Sequence, residues 1–166
     1  MTSTSLDPDP LALEQQVCFA LAVTNRAVLA VYRPLLEPLG LTHPQYLVML
    51  ALWDHAKSAT AATPMSVKDI ASALQLDSAT LSPMLKRLET VGLLTRARCA
   101  ADERAMEVTL TDPGVVLREK ALAIPPAVVA RLGVEMPELE LLRDVLNRVN
   151  AAALAAGILP ATPTEN

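Results

Sequence analysis

The sequence is poor in aromatic residues: one tryptophan, two tyrosines and one phenylalanine make up 2% of its 166 positions. Apolar residues nevertheless reach 52%, so the core has to be built from Leu, Val, Ala and Ile. A composition of this kind favours helices packed on helices. We therefore expect a mainly helical chain that folds as one unit around a shared core.

Long hydrophobic runs are also missing. No apolar run approaches the ~18 to 20 residues that a membrane-spanning helix needs. The acidic segment of residues 1–14 lacks the basic and then apolar order of a secretory signal. These two absences predict a soluble protein that stays in the cytoplasm and has no membrane partner.

Cysteine and histidine are scarce, with two residues of each kind. Cys18 and Cys99 fall in different structural contexts of a reducing compartment, where a structural disulfide is not expected. The chain has no CxxC pair, and His43 and His55 stand apart without clustered ligands. The sequence therefore predicts neither a metal site nor a cofactor.

The formal net charge of −4 argues against a nucleic-acid partner only when it is averaged over the whole chain. Residues 66–104 carry a net charge of +1, whereas the remainder carries −5. Contact with phosphate depends on such local patterns. The cations of this segment, which concentrate in its second half, are Lys68, Lys86, Arg87, Arg96, Arg98 and Arg104.

Residues 66–110 are patterned as helix, tight turn, helix, strand, charged tip and strand, which predicts a winged helix-turn-helix. Asp77 is the expected N-cap of the second helix, and Gly92 ends it. Residues 94–98 and 106–110 alternate between apolar and polar, as the two strands of a hairpin do. The predicted inner faces consist of Val67, Ile70, Ala71 and Leu74 in the first helix and Leu81, Met84, Leu85 and Leu88 in the second.

The outer face of the second helix combines small polar residues with cations, which suits entry into a DNA major groove. Four residues are expected near the bases: Ser78, Thr80, Ser82 and Pro83. Three cations are expected at phosphates or in the minor groove: Lys86, Arg87 and, at the hairpin tip, Arg104. The alternative is that Lys86 and Arg87 form an ordinary solvated face and that Arg104 pairs with Asp102.

The rest of the chain is predicted to be a helical dimerisation region. It comprises residues 13–45 and 112–157, on either side of the DNA-binding domain of residues 46–111, with a disordered lead (1–12) and a C-terminal tail (158–166). A long helix over 13–39 bends at Pro34, a second runs from Asp112 until Pro125 and Pro126 break it, and a last one begins at Pro137. Because their apolar faces would be uncovered on a monomer, we expect a homodimer that binds a palindromic double-stranded operator.

Cys18 is the candidate chemical site, although a lone buried thiol is usually inert. Tyr32 follows it by fourteen residues on nearly the same face of the predicted helix. The two side chains are then separated by ~21 Å along the axis and cannot touch within one chain. A phenol that hydrogen-bonds the Cys18 thiolate would have to come from an antiparallel copy of the helix.

Several stretches resemble the organic hydroperoxide resistance regulators, a branch of the MarR-type repressors. The similarity is carried by QVCFAL at 16–21, YRPLL at 32–36, LTHPQYLVML at 41–50, LDSATLSPMLKRLE at 76–89 and DER at 102–104, and it covers residues 13–125. The resemblance implies a mainly α protein with a small β wing that acts as a homodimeric repressor. It also implies that organic hydroperoxides oxidise Cys18 and that the protein then releases DNA.

The resemblance implies that Tyr32, His43 and Tyr46 support the thiolate, with two departures from the family pattern. His43 stands where relatives often have a phenol, and Ala22 stands where they have a tyrosine. A partly protonated imidazole at His43 would stabilise a thiolate electrostatically, whereas the alternative role is that of a capping or surface histidine. The alternative to thiolate support for Tyr46 is a structural role in the core.

Some relatives carry a second cysteine where this chain has Val128, Val129 and Ala130. Cys99 lies in the predicted wing, too far from the first helix for a disulfide with Cys18. We therefore expect a mechanism with one cysteine, in which a sulfenate at Cys18 is capped by a small cellular thiol or oxidised further.

Two other functions fit the same residues. A MarR-type repressor could be released by a small aromatic ligand bound between its two lobes, with Cys18 a passive wall residue. A thiol peroxidase would need a resolving partner and a cation near Cys18, for which only Arg26 and Arg33 are candidates. We expect a regulator rather than an enzyme.

Overall fold

A computed structural model of the protein describes residues 9–58, 60–102 and 104–158. Residues 1–8 of the predicted lead and residues 159–166 of the predicted tail lie outside the described residues. Mainly helical structure with one small sheet is observed, which confirms the predicted fold class. The elements are α1 (Val17–Leu36), α2 (His43–His55), β1 (Met65–Ser66), α3 (Val67–Leu74), α4 (Ser78–Thr90), β2 (Leu94–Arg98), β3 (Met106–Leu110), α5 (Asp112–Ala121), α6 (Ile124–Leu132) and α7 (Met136–Ala155).

The long helix predicted over residues 13–39 is divided into three parts. One 3₁₀ turn, Leu13–Gln15, precedes α1, and another, Glu37–Leu39, follows it. Gly40 then adopts a left-handed conformation with φ of 70°, which a glycine reaches without steric cost. The chain reverses there and enters α2, where the buried Gln45 side chain accepts a hydrogen bond from the Thr42 N–H (2.9 Å).

The helix-turn-helix and its hairpin form as predicted, and the strand limits of 94–98 and 106–110 are confirmed. A third strand, β1, pairs antiparallel with β3 and places Met65 opposite Val108, so the sheet order is β1-β3-β2. The sequence does not predict β1, because two residues are too few to show an alternating pattern.

The prediction for Pro125 and Pro126 is wrong. Helix α5 already ends at Ala121, and the two prolines lie in the first turn of a separate helix, α6, rather than in a break after a longer one. A proline fits the first turn because the N–H groups there have no partner within the helix and φ is already near the helical value.

The buried side chains form one cluster, which extends from Leu36 through α2, the helix-turn-helix and the sheet to Val128 in α6. The prediction of a shared core is thereby confirmed. Trp53 joins its two sides, because the indole Nε1 donates to the Gly114 carbonyl (2.8 Å). A Cβ at Gly114 would collide with the Leu93 carbonyl oxygen, so α5 abuts the turn between α4 and β2.

Two helices remain largely uncovered. Helix α7 has no buried residue, and Leu36 is the one buried residue of α1. The exposed large apolar side chains are Val17, Phe19, Leu21 and Val23 on α1 and Met136, Leu141, Leu142, Val145, Leu146 and Val149 on α7.

The predicted lack of a membrane-length apolar segment is wrong for α1. Together with the turn after it, Val17–Leu39 is the one stretch in the described ranges that is long and apolar enough to cross a membrane by length and composition. Arg26 and Arg33 lie inside it, and a single helix of this kind is weak support for a membrane span.

Candidate DNA-binding face and thiol site

Helix α4 is fixed at its start and along one side. The Asp77 carboxylate accepts hydrogen bonds from the Thr80 N–H (2.7 Å) and the Thr80 hydroxyl (2.8 Å), and the first of these is the main reason why the pKa of Asp77 lies below its ordinary value. Leu81, Leu85 and Leu88 are fully buried. The opposite side of α4 therefore faces away from the protein.

The residues predicted to contact DNA are all exposed: Ser78, Thr80, Ser82, Pro83, Lys86 and Arg87 on α4, and Arg104 at the hairpin tip. The hydroxyls of Thr80 and Ser82 donate within the helix, to Asp77 and to the Ser78 carbonyl (2.7 Å). Their protons are thus engaged, and their oxygens are left as acceptors. Such acceptors suit the amino groups that cytosine and adenine present in the major groove.

The cations of this face differ in their partners. Neither Lys86 nor Arg87 forms an ion pair with any described residue. Arg104 shows the same lack of an ion pair there, because Asp102 accepts a hydrogen bond from the Arg104 backbone N–H (2.9 Å) instead. Arg96, by contrast, is held by Glu89. Three of the predicted cations are therefore available for phosphate.

The structure brings together three of the four residues predicted to form the thiol site. The Tyr32 ring lies 5.0 Å from the His43 ring and 6.0 Å from the Tyr46 ring, measured between centroids. Cys18 is exposed near the start of α1, fourteen residues before Tyr32 on the same helix. One chain therefore contains both halves of the site and keeps them apart.

The side-chain polar atoms of this aromatic cluster have no hydrogen-bond partner among the residues that the structure describes. Burial raises the pKa of Tyr32, and burial followed by the charge of Tyr32 raises that of Tyr46. Burial lowers the pKa of His43, so the imidazole is mostly neutral at pH 7 in the isolated protomer. The cluster offers two neutral phenols and a neutral imidazole to a group that approaches from outside.

A cleft of about 190 Å³ lies on the other side of Tyr46. Its walls include the Tyr46 and Trp53 rings, whose centroids are 6.5 Å apart, and it also contains the cationic side chains of Lys57 and Arg118. No cluster of His, Cys, Asp or Glu suited to a metal ion occurs in the described part of the chain. The remaining lining residues are Leu50, Asp54, Ala121, Leu122 and Pro125.

Cys99 lies at the base of the hairpin tip and is half-buried, and its N–H donates to the Ala105 carbonyl (2.9 Å). Cys18 and Cys99 are both free thiols.

Comparison with known proteins gives the family. Residues 30–120 match the family described as transcriptional regulator SarA/Rot. The organic hydroperoxide resistance transcriptional regulator of Bacillus subtilis is 45% identical over 117 residues, which cover 70% of this chain and 75% of that protein. The chain belongs to the MarR family of transcriptional regulators, in the organic hydroperoxide resistance branch.

Two further relatives extend the match. The regulator TtmR of Methylorubrum extorquens is 42% identical over 146 residues, which cover 88% of this chain and 71% of that protein. The structure of reduced AbfR bound to DNA superimposes with a TM-score of 0.67 at 32% identity, covering 86% of this chain and 94% of AbfR. AbfR, from Staphylococcus epidermidis, is also known in an overoxidized form bound to DNA. This chain is accordingly a DNA-binding transcriptional regulator.

Three features of this MarR-family chain have no counterpart in the sequence reasoning. They are the Glu89 to Arg96 ion pair, the Trp53 to Gly114 hydrogen bond and the cleft beside Tyr46. Each joins residues from different elements. No spacing rule of a single helix or strand could have found them.

Arg104→Ala tests the predicted phosphate contact of the hairpin tip. We expect weaker binding to every duplex tested and a smaller slope of log K against log salt, by about 1, because one phosphate contact is lost. Fluorescence anisotropy at several salt concentrations measures both quantities. Lys120→Ala, which removes an exposed positive charge from α5, is the matched control. An unchanged slope in Arg104→Ala would assign this arginine to the shape of the tip.

Proposed function

We propose that the protein is a redox-sensing repressor, which leaves its operator when organic hydroperoxides oxidise Cys18. The observation that carries the proposal is the cluster of Tyr32, His43 and Tyr46, whose side-chain polar atoms make no hydrogen bond within the described chain and stay accessible from outside it. Accessible phenol and imidazole groups of this kind are free to hydrogen-bond a group from another chain. A cysteine thiolate from a second chain is the partner that the family relationship suggests.

The second chain would arrive by antiparallel pairing of α1. Helix α1 exposes apolar side chains at its start, and α7 exposes another set along its length. Contiguous apolar surface of this kind marks a protein interface. In a symmetric dimer with α1 antiparallel to its copy, the Cys18 end of one helix lies beside the Tyr32 end of the other. Two equivalent thiol sites then form at one interface.

The chemistry at Cys18 has two steps. The thiolate attacks the outer oxygen of the hydroperoxide, the O–O bond breaks, and the alcohol leaves after it takes up a proton, so that sulfur is oxidised to a sulfenic acid. A small cellular thiol then attacks the sulfenic sulfur, forms a mixed disulfide and releases water. Each chain consumes one equivalent of peroxide, so the protein acts as a sensor rather than a peroxidase.

An adduct at Cys18 would act on DNA through the dimer interface. The α4 helices of the two chains must lie one helical turn of DNA apart, at about 34 Å, to bind a palindromic operator. A bulky polar group between the α1 helices disfavours that arrangement, because packed interfaces change between discrete states rather than bending gradually. The site of action is then the DNA of the cytoplasm, where small thiols are plentiful.

Cys18→Ser is the direct test of this function. We expect the variant to bind operator DNA about as tightly as the wild type, since a serine fills nearly the same space, but to stay bound after cumene hydroperoxide and a small thiol are added. Electrophoretic mobility shift gives the bound fraction, and intact mass spectrometry of the same sample gives the state of the thiol. Cys99→Ser is the matched control and should release DNA as the wild type does.

Release of DNA by peroxide from Cys18→Ser would overturn the proposed sensing role. Repeated turnover of peroxide beyond one equivalent per chain would favour the peroxidase alternative instead.

The cleft beside Tyr46 favours a second candidate function, release by a small aromatic acid. Its two aromatic walls suit a flat ring, and the cations of Lys57 and Arg118 suit a carboxylate. Arg118 forms no ion pair with any residue in the described ranges.

Trp53 lines this cleft and is the one tryptophan of the chain, so its fluorescence reports directly on an occupant. If the cleft is a ligand site, salicylate quenches Trp53 in a saturable way, and Arg118→Gln weakens binding about tenfold because it removes a charged hydrogen-bond donor. Arg131→Gln, which removes an exposed positive charge from α6, is the control. Salicylate that neither quenches Trp53 nor releases DNA would exclude this function for that compound.

A further inference from the structure

Glu89 and Arg96 form an ion pair in the DNA-binding region. The carboxylate accepts from the Arg96 Nε (3.1 Å) and Nη2 (2.7 Å) with one oxygen and from the Arg96 backbone N–H (3.0 Å) with the other. Both side chains are partly shielded, with 24% of Arg96 and 34% of Glu89 exposed. Three hydrogen bonds to a single carboxylate fix its position and that of β2.

The pair joins the two parts of the protein that are predicted to contact DNA. Glu89 lies in the last turn of α4, and Arg96 is the middle residue of β2, one strand of the hairpin that carries Arg104 at its tip. The core anchors the base of the hairpin, where Leu94 and Val108 are buried. Glu89 adds a polar link on the α4 side of the hairpin, at the level where Arg96 pairs with Val108.

The charge of Glu89 is unfavourable for DNA binding in itself. Glu89 follows Ser82 by seven residues, or nearly two helical turns, so it projects on the same side of α4 as the predicted base contacts. A carboxylate there repels phosphate. It also pairs with Arg96, a cation that would otherwise attract phosphate. A positional role explains why such a residue is compatible with DNA binding.

We propose that Glu89 is a positioning residue for DNA binding, whose hold on Arg96 keeps the hairpin tip and Arg104 in register with the DNA-facing side of α4. The inference rests on the DNA-binding role described above. It makes a prediction opposite in sign to that of charge alone. If only electrostatics mattered, removal of the Glu89 charge would strengthen DNA binding. If Glu89 positions the hairpin tip, the same change weakens DNA binding.

The test uses the full-length protein and a duplex of about 30 base pairs that the wild type selects from a randomised pool. Glu89→Gln keeps the size of the side chain but removes its charge, and Arg96→Lys keeps the charge but removes the planar fork. We expect each to weaken binding about tenfold and to reduce the salt slope by about 1, as one phosphate contact is lost. Glu107→Gln is the matched control: it removes the same charge from β3 of the same hairpin, where Glu107 has no ion pair with a described residue, and it should leave binding unchanged or tighter.

A double-mutant cycle separates positioning from a general loss of fold. If Glu89 acts through Arg104, Arg104→Ala costs far less in the Glu89→Gln background than in the wild type, whereas independent effects would add. Thermal unfolding identifies a variant that has lost its fold. If Glu89→Gln does not fold, Arg96→Lys replaces it in the comparison with the wild type. Binding by Glu89→Gln that is as tight as wild type with an unchanged slope, or strictly additive costs, would overturn the inference. A wild type that selects no duplex would overturn the DNA-binding role itself, and the inference with it.

Discussion

The rigid length of α1 is the constraint on which the rest of the account depends. A helix rises 1.5 Å per residue, so fourteen residues separate Cys18 from Tyr32 by ~21 Å whatever the rest of the chain does. Tyr32 nevertheless lies against His43 and Tyr46 in a cluster with unpaired polar atoms in the described chain. Both halves of the proposed thiol site are therefore present in one protomer, and the proposal requires a second copy to bring them together. Under the proposed function, dimerisation and peroxide sensing therefore depend on the same interface.

Besides the shared core, two side-chain hydrogen bonds join the predicted dimerisation region to the DNA-binding region. Asn150 on α7 donates to the Gln75 side chain (3.0 Å), and Gln75 occupies the turn between α3 and α4 with a left-handed φ of 53°. Trp53 and Gly114 make the second connection, between α2 and α5. Both connections end beside α4 or the turn that follows it. A rearrangement of α7 would thus reach the start of α4 through the contact between Asn150 and Gln75.

Much of this structure was predictable because its signals are local. The cap at Asp77, the helical spacing of Leu81, Leu85 and Leu88 and the two alternating strands each depend on neighbours a few residues apart. Two predictions failed because the same local pattern fits two structures. Pro125 lies in the first turn of a new helix rather than at the end of a longer one, and α1 is apolar enough to resemble a membrane span. The Glu89 to Arg96 pair and the cleft depend on how elements pack, which spacing does not report. The neutral state of His43 also follows from burial, and therefore from packing.

The central claim is that Tyr32 and His43 of one chain support the Cys18 thiolate of the other. A heterodimer of two differently tagged chains tests it: one chain carries Cys18→Ser, and the other keeps Cys18 but carries Tyr32→Phe and His43→Ala. The rate at which cumene hydroperoxide oxidises the remaining Cys18, followed by mass spectrometry of a trapped sulfenic acid, is compared with the homodimer of the second chain. A site shared between chains predicts fast oxidation in the heterodimer and slow oxidation in that homodimer. Equal, slow rates in both would contradict the account.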